Sequence, residues 1–202
     1  MYNELFSGVN VLSSPEMGDG KPWVITFDNF VSDEEAEALI STNYKFERST
    51  DTGSTNEFGE TGRVLSQTRT SSNSWCRGEC LAHPDVKKLI HRIESVTRVP
   101  AHNYESFQVL RYEEGQRYGV HHDNGGDDRK LACGPRILTF FLYLSDVEEG
   151  GETAFPSLGI SVKPKKGKAL LWPSVLDSDP EKREPWTNHE ARPVIKGKCY
   201  IQ

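Results

Sequence analysis

Long apolar runs are missing from this 202-residue chain, whose longest, ILTFFLYL at 137–144, has eight residues. A helix needs about 20 such residues to cross a bilayer, so this run reads as a buried strand and no transmembrane segment is expected. An excess of positive charge is missing too. The 24 basic residues are outnumbered by 30 acidic ones, for a net charge of -6, which argues against a nucleic-acid binder that relies on neutralising phosphates. Cysteine is scarce. Cys76, Cys80, Cys133 and Cys199 are too few for a disulfide scaffold, and no second Cys or His pair sits at zinc-ligand spacing. Ordinary free thiols are expected, although Cys76 and Cys80 in WCRGEC could meet in a turn or on one helix face. The opening stretch MYNELFSGVNVLSSPEM lacks the basic-then-apolar order of a secretory signal, and no Asn-x-Ser/Thr acceptor occurs. The expected location is therefore cytoplasmic, or the endoplasmic reticulum lumen if a leader has been removed.

What is present suits one domain, residues 1–202, with 1–22 as an N-terminal extension. In ITFDNFVSDEEAEALIS a short strand precedes a helix capped by Ser32, with Glu35 three residues on as in a capping box. Residues 46–75 are polar and glycine-rich with little periodicity, which predicts a mobile loop. Then HPDVKKLIHRIESVTRV places Val86, Leu89, Ile90, Ile93 and Val96 at helical spacing, so a second amphipathic helix follows. From Tyr104 onward the pattern is short strands and tight turns. Helices first and strands after indicate α+β, with N-terminal helices buttressing a β-sandwich or barrel.

The chemistry concentrates in YGVHHDNG, residues 118–125. The runs FQVLRY and RYGVHH read as strands, and Gly125-Gly126 marks a turn. On a strand, His121 and Asp123 share one face and His122 takes the other; on a helix, residues two apart would diverge by roughly 200°. An imidazole and a carboxylate side by side can fill two sites of a divalent metal, and the third ligand must return from a late strand. His189 in PWTNHEARPV is the best candidate. His83 sits at a helix entry, His91 on the amphipathic helix and His102 in a linker.

Four ordered blocks, QVLRYEEGQRYGVHHD, RILTFFLYLSDVEEGGETAFP, VKPKKGKALLWPSVLDSDP and HEARPVIKG, with RTSSNSW upstream, resemble the prolyl 4-hydroxylase family of iron(II)- and 2-oxoglutarate-dependent dioxygenases. The resemblance runs from about Trp23 to the C-terminus. It implies a double-stranded β-helix, or jelly roll, whose mouth holds iron through His121, Asp123 and His189. Three ligands on one side leave three sites for 2-oxoglutarate and dioxygen. Oxidative decarboxylation would release succinate and CO2 and supply the oxidant that hydroxylates an unactivated C–H bond, with ascorbate as the reductant.

The resemblance also implies how 2-oxoglutarate is held: by a tyrosine, a threonine and a lysine ten residues past the second histidine. Tyr112 and Thr153 match the first two. Cys199 stands where the lysine is expected, with Lys198 one position earlier. A bulge after Gly197 would turn Lys198 inward, and Lys168 and Arg192 are the other available cations. Tyr118 and Arg136 match positions at the peptide-facing mouth, while Arg69, Ser71 and Trp75 lie where similar enzymes cover the peptide. The implied activity is hydroxylation of prolyl residues in a peptide or protein. The alternatives are an oxygenase acting on another residue or a small molecule, and a non-catalytic peptide-binding jelly roll.

Overall fold

A computed structural model describes residues 8–42, 45–55, 61–125 and 134–202. Ser32 starts the first long helix, Asp33–Ser41, with both halves of the capping box: its hydroxyl accepts from the Glu35 N–H at 3.2 Å, and its own N–H donates to the Glu35 carboxylate at 2.9 Å. The second, Pro84–Thr97, buries Val86, Leu89, Ile93 and Val96, and Ile90 packs at the margin of the same core. Arg92 joins the two helices. Its guanidinium forks onto both Glu35 carboxylate oxygens at 2.7 Å and also donates to the Phe30 carbonyl at 2.8 Å. No helix among the described residues is long and apolar enough to cross a membrane.

The strands form two layers. Val9–Ser13, Val24–Phe27, Ala169–Pro173 and Leu138–Leu142 are neighbours in that order, and Cys199–Ile201, Gln108–Tyr112, Ser72–Trp75 and Glu47–Arg48 form a second set of four. A bridge from Tyr143 to Ile201 and paired backbone bonds between Leu142 and Gln202, 2.8 and 2.9 Å, join these sets edge to edge. The other layer runs Ile160–Val162, Thr153–Phe155, His189–Ala191 and Tyr118–His121. One buried cluster takes Phe155 and Val162 from this layer and Val24, Leu110, Tyr112, Leu170 and Trp172 from the larger one. Two sheets closing on a shared core make a jelly roll. A second cluster joins Phe27, Val109, Leu142 and Ala169 to Ala36, Leu39, Leu89 and Ile93 of the helices.

The structure adds to two of the expectations above and corrects a third. Residues 1–22 are more than an extension, because Val9–Ser13 forms the outer strand of the larger sheet, antiparallel to Val24–Phe27. Residues 46–75 contain regular structure: Glu47–Arg48 and Ser72–Trp75 pair with each other, and Thr50–Thr55 pairs with Thr61–Leu65 as a hairpin. Threonine suits a strand on conformational grounds, and these polar stretches carry no apolar alternation that would mark them as strands. Residues 56–60 lie outside the described residues. Finally, Cys76 and Cys80 form a disulfide, with Cα atoms 5.2 Å apart. Gly78 between them has φ 54°, a left-handed conformation that lets the chain turn back so tightly. Cys199 is a buried free thiol, and Cys133 lies outside the described residues.

Candidate active site

Register builds the site. The strands Tyr118–His121 and His189–Ala191 pair antiparallel with His121 and His189 as direct Cα partners, so their side chains emerge on one face of the sheet. The ring centroids are 4.2 Å apart. Asp123 lies just past the end of its strand, in a bend, and still turns the same way: its Oδ1 is 3.7 Å from His121 Nε2 and 3.6 Å from His189 Nε2. One ligand atom from each of the three lies within 4.8 Å of the others.

Hydrogen bonds prepare these side chains for a metal. His121 Nδ1 donates to the Gly119 carbonyl at 2.9 Å and His189 Nδ1 to the Thr187 carbonyl at 3.0 Å. Each bond places the proton on Nδ1 and leaves the Nε2 lone pair facing Asp123. Thr139 donates its hydroxyl to the other Asp123 oxygen, Oδ2, which reserves Oδ1 for the shared space. Burial, reinforced by the adjacent His189, pushes the His121 imidazole down to about 4. Burial opposes ionisation of Asp123, yet His189, the Thr139 hydroxyl and His121 together keep its carboxyl below the usual range. A neutral imidazole beside an ionised carboxylate is the protonation state a divalent cation requires. His122 turns the other way, accepting from Asn124 N–H at 3.0 Å and donating to the Glu184 carbonyl at 3.1 Å. These donors fit a 2-His-1-carboxylate iron site.

Behind the triad the buried core carries several hydroxyls. Phe155 and Trp172 pack on the His189 ring, with centroids at 5.6 and 4.8 Å. Deeper in the same cluster, Tyr143 donates to Thr153 Oγ1 at 2.8 Å, and Tyr112 is the Cα partner of Cys199. Burial pushes the Tyr112 phenol up to about 12, against a smaller opposite pull from Arg69. Lys198 is not brought to these hydroxyls. Its side chain is 59% exposed and paired with Glu113 at 3.2 Å. The strand Cys199–Ile201 pairs with Gln108–Tyr112 from Cys199 onward, and Cys199 is the buried residue there, while Lys198 points outward to Glu113. Gly197, at φ 96°, instead places its N–H on Glu114 at 3.0 Å.

At the mouth, Tyr118 stacks on His121 with centroids 3.5 Å apart, and the Arg69 guanidinium sits 5.0 Å above the Tyr118 ring. Arg69 also donates to Gln108 at 3.0 Å, and Gln108 lies directly opposite Trp75 in the sheet. Trp75 is exposed. Ser71 is buried and bonded to Ser49 at 3.0 Å, and its hydroxyl opposes the rise that burial imposes on the Tyr112 phenol. Arg136 forks onto Glu105 and donates to the Asp123 carbonyl at 3.0 Å, so it braces the loop that carries a triad member. Sequence reading passed over Thr139 and Glu105. Thr139 had a usable signal: it is the polar residue in the apolar run ILTFFLYL, and a hydroxyl there needs a partner.

A jelly roll with two histidines and an aspartate at its mouth is the architecture of an iron- and 2-oxoglutarate-dependent oxygenase, and residues 107–201 match the 2OG-Fe(II) oxygenase superfamily. The chain belongs to the prolyl 4-hydroxylase family within it: prolyl 4-hydroxylase 5 of Arabidopsis thaliana is 35% identical over 217 residues, covering 92% of this chain and 71% of the relative. Prolyl 4-hydroxylase subunit alpha-1 of Gallus gallus is 33% identical over 187 residues, 90% of this chain and 35% of the relative. The chain thus spans about a third of that longer subunit. Among solved structures, viral collagen prolyl hydroxylase from Paramecium bursaria Chlorella virus-1, in a 2OG complex, superposes with a TM-score of 0.67 at 27% identity, covering 88% of this chain and 92% of the other.

Proposed function

We propose that residues 1–202 form a single catalytic domain that hydroxylates prolyl residues in a peptide or protein, consuming 2-oxoglutarate and oxygen and releasing succinate and CO2. The reading rests above all on the direct pairing of His121 with His189 and the reach of Asp123 to both imidazoles. Iron(II) held by His121, Asp123 and His189 would supply the redox chemistry, with ascorbate as the reductant that restores it. The names of its relatives, which are prolyl and collagen prolyl hydroxylases, support the choice of proline.

The protein's own residues do the positioning. The carbonyls of Gly119 and Thr187 and the hydroxyl of Thr139 hold the three ligands in place, so little reorganisation is needed when the metal enters. Tyr112 and Thr153 offer hydroxyls to the cosubstrate. Trp172 and Phe155 keep water from the inner side of the site. Tyr118, Arg69, Trp75 and Arg136 line the mouth, where an extended peptide can lie over rings and find donors for its carbonyls. We assign the helices the role of buttressing the larger sheet. A panel of proline-containing peptides, followed by mass spectrometry, tests the reading: a product heavier by one oxygen at proline supports it, and modification of another residue favours a different oxygenase activity.

A further inference from the structure

The buried cluster behind the triad, where the proposed 2-oxo acid would lie, is built from neutral groups. Cys199 is only 2% exposed, is the direct strand partner of Tyr112, and lies in the same buried cluster as Tyr112 and Tyr143. Tyr143 in turn bonds Thr153, and Val194, Ile201 and Leu170 belong to the same buried cluster. The nearby cations are engaged elsewhere. Lys198 pairs with Glu113 on the outer surface, Lys168 reaches Asp28 at 3.5 Å, and Arg192 reaches Glu190 at 3.4 Å. Arg69 stands over Tyr118 and acts on the Tyr112 phenol only as a smaller pull against burial. Burial alone pushes the Cys199 thiol up to about 12, and no described positive charge pulls against it.

We infer that Cys199 makes the inner end of the cosubstrate pocket uncharged, so that 2-oxo acids with uncharged tails bind there on nearly equal terms with 2-oxoglutarate. The inference rests on the proposed use of a 2-oxo acid. Both kinds of acid share the 2-oxocarboxylate end that would meet the metal, and they differ only at the tail. A second carboxylate must shed its water to enter the pocket, and hydroxyl donors such as those of Tyr112 and Thr153 return less than a cation does. An apolar tail of the same length avoids that cost and gains contact with Val194 and Leu170. Cys199 is thus the specificity-determining residue of this pocket.

Calorimetric titration of the Fe(II)-loaded chain under nitrogen tests this, with 2-oxoglutarate and 2-oxopentanoate as probes of native protein, Cys199→Lys and Cys199→Ser. The native affinities are expected to differ by less than about thirtyfold. In Cys199→Lys, 2-oxoglutarate should bind about ten- to a hundredfold more tightly and 2-oxopentanoate no better, as a charge-assisted bond to one tail alone implies. Cys199→Ser should keep the native ratio, which guards against a lysine that simply fits badly. A native preference for 2-oxoglutarate above about thirtyfold overturns the inference while leaving the proposed function standing. Binding of neither acid to the iron-loaded native chain or to Cys199→Lys overturns both.

Discussion

His121 and His189 are direct partners across one antiparallel strand pair, and Asp123 stands within 3.7 Å of the free nitrogen of each. Two ligands from adjacent strands and a third from the bend that follows make a site whose geometry depends on register more than on loop conformation. Asp123→Ala should therefore abolish stoichiometric iron(II) binding and turnover. His122→Ala should retain both, because His122 faces Glu184. Metal analysis after desalting, alongside circular dichroism to check folding, reads the contrast.

Thr139 carries a subtler expectation. Its hydroxyl holds Asp123 Oδ2, so Thr139→Val should weaken iron binding by about 10–100-fold, the range for losing a group that orients a ligand. Thr139→Ser should recover most of the loss, since it restores the donor. Equal affinity in all three proteins would mean that the bond does not orient the carboxylate.

Much of this centre was legible in the sequence: alternation expects His121 and Asp123 on one face and His122 on the other, and the bend that carries Asp123 past the strand's end keeps that facing. The capping box at Ser32 and the amphipathic helix through Leu89 and Ile93 were legible for similar reasons of local geometry. Long-range pairing was not. Nothing near Lys198 in the chain reveals that Glu113 waits on the outer surface, or that Cys199, paired with Tyr112, is the buried residue. The hairpin of Thr50–Thr55 and Thr61–Leu65 escaped notice because its polar residues give no apolar period. The Cys76–Cys80 bond depends on a left-handed Gly78 that spacing alone does not disclose.

The thiols make a chemical prediction. With its thiol raised to about 12 and buried, Cys199 should resist iodoacetamide at pH 8.5 in the folded chain and react once urea unfolds it. Cys76 and Cys80 should react only after reduction. Peptide mapping reads each site separately. The same shift has a stability consequence. An unfolded thiol ionises near 8.5 while the folded one does not, so the unfolded state releases protons first and stability falls as pH rises from about 9 towards 12. Cys199→Ala should flatten that decline in a thermal scan against pH.

The helix clamp offers a stability test remote from the chemistry. Glu35 is 3% exposed and depends on Arg92, whose side chain is 33% exposed. Arg92→Ala leaves a buried carboxylate unpaired and should cost about 3 kcal/mol, the lower end for a broken buried pair because one partner is partly wet. Urea unfolding would measure it. Arg92→Ala with Glu35→Gln should recover part of the loss.

The central claim is that this site couples one turnover of 2-oxoglutarate to one hydroxylated proline, and oxygen-18 labelling tests it most directly. With 18O2, iron(II), ascorbate and a proline-containing peptide that is turned over, one labelled atom should appear in succinate and one in hydroxyproline, in equal amounts. Asp123→Ala should yield neither. Succinate that forms without any label in proline, across peptides that demonstrably bind, would contradict the claim and leave the chain an oxygenase of some other substrate.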